Sequence, residues 1–204
     1  MGVKIAVLVS GGGTNLQALL DSEQRGELKS GKISAVISNV KDAYALKRAQ
    51  NAGVKTYTVT KKEYGTNFEN KIIQILDEEK IDLIVLAGFL AILSKDFTSK
   101  YPNRIINVHP SLIPAFCGKG YYGLKVHDAA LAYGVKVTGA TVHFVNEVPD
   151  GGKIIMQKAV EIKDDDTSEV LQRRVMEEAE WIILPKAVEK VAAEILEEKE
   201  NECL

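Results

Sequence analysis

The chain has 204 residues, 46% apolar and 26% charged, and a formal net charge of -2, which excludes a general electrostatic field for nucleic acid. Its two cysteines, Cys117 and Cys203, stand far apart, which excludes a disulfide framework or zinc ribbon and suits a reducing cytoplasm. No apolar run approaches the ~20 residues that cross a bilayer, and Ile5 to Val9 is too short for a signal-peptide core, so a soluble cytoplasmic protein with no membrane partner is expected.

The first expected strand is Lys4–Val9, short, β-branched and apolar on both faces. It runs into Ser10-Gly11-Gly12-Gly13-Thr14-Asn15, which opens a helix over Asn15–Gln24. Glycines let a backbone approach an anion closely, and a helix N-terminus offers unpaired N–H groups with partial positive charge. The run lacks the lysine of a P-loop and the third glycine of a dinucleotide fingerprint. It therefore points to a phosphate monoester, the bland alternative being a tight turn capped by Thr14 or Asn15.

Strand Ile33–Ser38, helix Ala43–Ala52 with Gly53 as its stop, strand Lys55–Thr60, helix Asn67–Glu79 and strand Leu83–Ala87 follow. The alternation implies a parallel sheet wrapped by right-handed crossovers. A fifth strand, Arg104–Val108, leads into Asn107-Val108-His109-Pro110. Residues two apart in a strand share a face, so Asn107 and His109 are expected to project together at the carboxyl edge, where such sheets hold ligands. An amide can donate to a developing oxyanion, and an imidazole can carry a proton.

Residues 109–125 read as loop, then a helix over Val126–Tyr133 and strands Thr138–Val145 and Lys153–Ile162 about an Asp150-Gly151-Gly152 turn. Asp150 is expected to swing on its two glycines. His127 and His143 read as structural or solvent-facing, and nothing beside Cys117 marks it as a nucleophile. A helix from Thr167 to Leu184, capped by Asp166 with Glu169, is expected to kink or restart at Pro185, and residues 197–204 to fray. The expected fold is thus α/β: a doubly wound, mostly parallel sheet with an antiparallel C-terminal hairpin, one domain over 1–204, and no metal-ligand cluster.

Four stretches together resemble the phosphoribosylglycinamide formyltransferase family: Ser-Gly-Gly-Gly-Thr-Asn-Leu-Gln-Ala (10–18), Leu-Ala-Gly-Phe-Leu-Ala-Ile-Leu (86–93), Asn-Val-His-Pro-Ser-Leu-Ile-Pro (107–114) and Thr-Val-His-Phe-Val (141–145) before Asp150-Gly151-Gly152. The resemblance implies a Rossmann-like sheet with a phosphate-binding half over about 1–100 and a catalytic and folate half over about 101–190. It implies formyl transfer from 10-formyltetrahydrofolate to the amine of glycinamide ribonucleotide, in purine synthesis, without metal. Asn107, His109 and Asp150 would be the catalytic triad, with Asp150 keeping His109 cationic. Gly12, Gly13, Thr14 and Asn15 would hold the phosphate and Glu180 the ribose hydroxyls. Leu90, Ala91, Ile92, Leu93, Asn107, Val145, Asn146 and Glu147 would line the folate pocket.

The chain departs from the family pattern at Ala91 and Gly65, where relatives carry arginine, leaving Lys61 or Lys62 for the folate tail, and at Trp181, where they carry histidine. A 10-formyltetrahydrofolate deformylase or methionyl-tRNA formyltransferase would add a further domain, which this length does not favour. A non-catalytic folate- or nucleotide-binding module would not need His109 and Asp150. A monomer or homodimer is expected.

Overall fold

A computed structural model describes residues 2–202. Cys203, read above as unpaired, lies outside the described residues. The strands are β1 (Val3–Val9), β2 (Gly31–Ser38), β3 (Lys55–Thr58), β4 (Leu83–Leu86), β5 (Ile105–His109), β6 (Val137–Phe144) and β7 (Ile154–Glu161). The helices are α1 (Thr14–Gln24), α2 (Tyr44–Asn51), α3 (Lys61–Tyr64), α4 (Phe68–Glu78), α5 (Lys95–Lys100), α6 (Leu124–Tyr133), α7 (Ser168–Val175) and α8 (Trp181–Glu202).

The strands form one sheet in the order β3-β2-β1-β4-β5-β6-β7, parallel as far as β5 and antiparallel through β6 and β7. The strand order reverses between β1 and β4, so a crevice opens beyond their carboxyl ends. Alternation along the strands sorts side chains between two cores. Val3, Ile5, Val7 and Val9 face a layer built with α1, α2, α7 and α8, while Ala6 and Leu8 face one built with α4 and α5. Each fully buried leucine or isoleucine contributes about 1.5–3 kcal/mol. Ile105 lies in the second core, and Ile106 and Val108 in the first. Asn107 and His109 share Ile105's face of β5, as the strand period requires.

Several local readings are corrected. Helix α5 was not legible in the sequence; Ser94 caps it, accepting the Phe97 N–H at 3.1 Å. The late helix is broken at Met176–Glu180, a π-helical turn, rather than at Pro185, which lies inside α8. Its cap is Thr167, which accepts from Val170 N–H. Asp166 is instead committed to a paired contact with the Arg174 guanidinium. The tail expected to fray is helical to Glu202, because Val191, Ala192 and Ile195 anchor α8 on the sheet.

His127 on α6 is fully buried, and neither ring nitrogen has a hydrogen-bond partner among the described residues. Burial pushes its pKa down to about 4, against a weaker upward pull from Asp128 and with a further downward push from His109. The unfolded chain takes up this proton near the ordinary histidine value while the folded one refuses it. Stability is therefore lost as pH falls from about 6.5 towards 4. In His127→Leu, roughly 2–3 kcal/mol of the difference in unfolding free energy between pH 7 and pH 4.5 is expected to vanish. An unchanged acid dependence would remove His127 as the cause.

Candidate functional site

The loop after β1 takes its shape from steric necessity. Gly13 has φ +73°, and a Cβ there would lie 2.6 Å from the Ala45 Cβ, so only glycine fits. Gly13 is also the N-cap of α1 and brings no capping side chain. Thr14 and Asn15, the two available caps, reach elsewhere. The Thr14 hydroxyl donates to the Met176 sulfur, and the Asn15 amide donates to the Glu180 carboxylate at 2.5 Å. The amides of Gly12, Gly13 and Thr14 consequently find no acceptor among the described residues. The loop carbonyls are held from behind, Gly11 O by the Ala45 N–H at 3.1 Å and Gly12 O by Arg48 Nε at 2.8 Å. The result is a run of unpaired donors at a helix N-terminus, suited to an anion.

Glu180 belongs to the π-helical turn and is only 6% exposed. Burial raises its pKa to about 7, and the Asn15 amide only partly offsets this. A carboxylate so enclosed gains from any further hydroxyl that donates to it.

On the far side of the crevice, Asn107 and His109 at the end of β5 meet Asp150. The Asp150 carboxylate lies 3.5 Å from His109 Nδ1 and 3.5 Å from His143 Nε2, and it accepts the Gly118 N–H at 2.8 Å. Burial works against its charge, but the His143 and His109 rings and the Gly118 amide outweigh burial, and its pKa is lowered. Asp150 is held on both sides by these contacts. It sits at φ +55° in a turn whose glycines are there for close approach, since a Cβ on Gly152 would lie 1.7 Å from the Phe144 carbonyl oxygen.

His143 is the participant that the sequence reading missed. It lies directly opposite Asn107 in the antiparallel β5–β6 register. Its Nδ1–H donates to the Phe144 carbonyl at 2.8 Å, and its Nε2 lies 3.2 Å from the Asn107 amide nitrogen and 3.5 Å from the Asp150 carboxylate. This orients Asn107 with one amide N–H still free to donate.

His109 is buried, and its Nε2–H donates to the Phe116 carbonyl at 2.9 Å. Burial pulls its pKa down more strongly than Asp150 and Phe116 pull it up, and His143 adds to the fall. Desolvation thus opposes the cation that the resemblance implies. Both nitrogens nonetheless face acceptors, an arrangement that only the cation satisfies in full. Burial, and after it Asp150, raise the pKa of Cys117, which disfavours the thiolate a nucleophile needs.

A cavity of about 120 Å³ opens on this group, with Asn107, His143 and Asp150 at one end and Phe89, Leu93 and Val145 among its apolar walls. Ala91, Ile92, Asn146 and Glu147 also line it, whereas Leu90 turns to solvent and gives its N–H to Ser10 Oγ. That bond ties the loop after β4 to the loop after β1. The lining of this cavity includes none of residues 11–15. Lys61 lies over the Phe68 ring, and neither it nor Lys62 reaches the cavity. Among the described residues no group of histidine, cysteine and acidic side chains is placed to hold a metal ion, and no helix is long and apolar enough to cross a membrane.

A formyl transferase family model matches residues 3–188. The chain is 40% identical over 200 residues to the phosphoribosylglycinamide formyltransferase of Haemophilus influenzae, covering 97% of this chain and 91% of that one. It is 44% identical over 193 residues to the trifunctional purine biosynthetic protein adenosine-3 of Gallus gallus, covering 94% of this chain but 18% of that protein. The chain thus spans about a fifth of the trifunctional relatives it matches. Glycinamide ribonucleotide transformylase 1 from Symbiobacterium toebii superposes with a TM-score of 0.88 at 42% identity, covering 94% of this chain and 88% of that chain.

Proposed function

Because the chain belongs to the formyl transferase family, among the phosphoribosylglycinamide formyltransferases, we propose that it moves the formyl group of 10-formyltetrahydrofolate onto the amine of glycinamide ribonucleotide in purine synthesis. The observation that carries this reading is the meeting of Asn107, His109 and Asp150 at the end of β5, one loop away from an uncapped glycine turn. In this reading Gly12, Gly13, Thr14 and Asn15 form the phosphate end, and residues 101–190 supply the catalytic and folate half.

The folate donor supplies the formyl carbon. Its flat ring suits the slot between Phe89, Ile92 and Leu93 on one side and Val145 and Val148 on the other. Ile92 and Val148 stand exposed at its rim, apolar surface that such a ring covers. The amine forms the new C–N bond, the bond from the formyl carbon to the folate nitrogen breaks, and one amine proton ends on that nitrogen. Asn107 donates its free amide N–H to the formyl oxygen as charge builds there. His109 takes up the amine proton, and as a cation it is held by Asp150 and the Phe116 carbonyl. A water on Asp150 then returns the proton to the leaving nitrogen.

Glu180 is assigned to the ribose hydroxyls, two donors that a buried carboxylate with one amide partner lacks. Its raised pKa means that stability is full below about 4.5 and is lost as pH rises through about 7. Glu180→Gln is expected to raise KM for the nucleotide about tenfold while raising Tm at pH 8 by roughly 5 °C. A fall in both would reject the assignment.

The direct test mixes the protein with 10-formyltetrahydrofolate and glycinamide ribonucleotide and follows the absorbance of the released folate. Formyl-nucleotide product is expected. Formate released without an amine acceptor would identify a hydrolase instead, and binding of both ligands without turnover a non-catalytic module. We place the activity in the cytoplasm, with the protein a monomer or homodimer, on the strength of the sequence alone.

A further inference from the structure

We propose that Arg48, on the side of α2 that packs behind the loop after β1, is a positioning residue that carries positive charge into the phosphate-binding loop without touching the phosphate. The proposal rests on the loop being an anion site, as in the reading above. The loop has no lysine or arginine of its own. Among the described residues, Arg48 is the one cationic side chain hydrogen-bonded to residues 10–15.

The geometry is specific. Nε donates to Gly12 O at 2.8 Å, and NH1 donates to the Gln17 side-chain oxygen at 3.0 Å. The guanidinium lies 4.9 Å over the Tyr44 ring. All these partners are neutral, so the charge is not spent on a carboxylate. Gly12 O and Gly13 N–H belong to one peptide unit. A cation on that oxygen polarises the unit and makes its N–H a stronger donor, as successive hydrogen bonds in a chain reinforce one another. The Ala45 N–H does the same, without charge, for the Gly11–Gly12 peptide. Gly13 packs so closely on Ala45 that Arg48, one turn further along α2, is brought behind the loop. The flat fork supplies two directed donors and stacks on a ring, which an ammonium cannot do.

The test uses Arg48→Gln and Arg48→Lys in the full chain, read on two scales. The first is the ratio of kcat/KM for glycinamide ribonucleotide to that for the same acceptor lacking its phosphate. The second is the affinity for inorganic phosphate, by calorimetric titration. Arg48→Gln is expected to lower the ratio about tenfold through KM, with kcat within roughly twofold and KM for the folate unchanged. Phosphate affinity should fall by a similar factor. Arg48→Lys should lose roughly threefold on both scales, since it keeps the charge but not the fork. If the glutamine variant does not fold, the lysine variant decides on the same scales.

An unchanged ratio with unchanged phosphate affinity overturns the proposal. So does an equal loss with both acceptors, which marks Arg48 as a brace of the fold. If the parent protein fails to turn over glycinamide ribonucleotide, the substrate assignment fails, and phosphate affinity alone still decides the role of Arg48.

Discussion

Replacing Asn107 or His109 by alanine is expected to lower kcat by at least ~100-fold in each case, while the folded state survives. Asn107 is half-buried and its amide is oriented by a single contact with His143. Its loss removes a donor aimed into the cavity and one contact of the His143 ring, a local cost. Preorganised donors of this kind are worth roughly 3–4 kcal/mol of barrier, because they meet the developing charge without having to reorient. His109 is buried and holds the Phe116 carbonyl, so His109→Ala also leaves an unpaired acceptor and a small void. That loss is read by thermal unfolding, separately from rate. Both variants turning over at near-parental rates, with the fold intact, would reject the mechanism.

Asp150→Asn is the second large effect. The substitution keeps the shape and an oxygen able to accept the Gly118 N–H, but it removes the charge between His109 and His143. Asp150 is the largest influence raising the pKa of His109, against burial, so the variant's His109 should titrate at more acid pH still. A base that binds its proton less well shuttles it less well, and general acid–base contributions of this type are worth ~100-fold or more. A fall in kcat of that order is expected, with an acid-shifted His109 signal in an NMR titration. A titration curve that does not move would remove the role given to Asp150, whatever the rate does. Asp150's lowered pKa also supplies stability above the ordinary carboxylate range, lost as pH falls through its folded value. The variant should therefore lose stability at neutral pH relative to the parent.

The order of strands and helices was largely legible in the sequence, since buried parallel strands announce themselves as short β-branched runs between amphipathic stretches. All seven strands lie within two residues of their expected limits at either end. The short elements were not legible. Helix α5 spans one and a half turns, too few for a periodic pattern, and the π-helical turn at Glu180 differs from α-helix by one residue per turn. The second helix expected to start at Pro185 starts instead at Trp181, because a proline near the start of α8 sacrifices one hydrogen bond without breaking a helix whose inner face is buried.

For the site, the sequence by itself determined which groups lie at the sheet's carboxyl edge. Strand period puts Asn107 and His109 on one face, and a glycine run after a strand leaves N–H groups unpaired. It could not determine contacts across the fold. His143 meets Asn107 only through the β5–β6 register, and a slip of one residue would turn it to the other face. Asn15 and Glu180 are 165 positions apart along the chain, and the choice of Glu180 over a helix cap is made by the π-helical turn that buries it. The direction in which the His109 pKa moves depends on the same kind of contact. A neighbouring carboxylate can be anticipated from a motif, whereas the loss of water around an imidazole depends on everything packed against it, and that desolvation decided the sign.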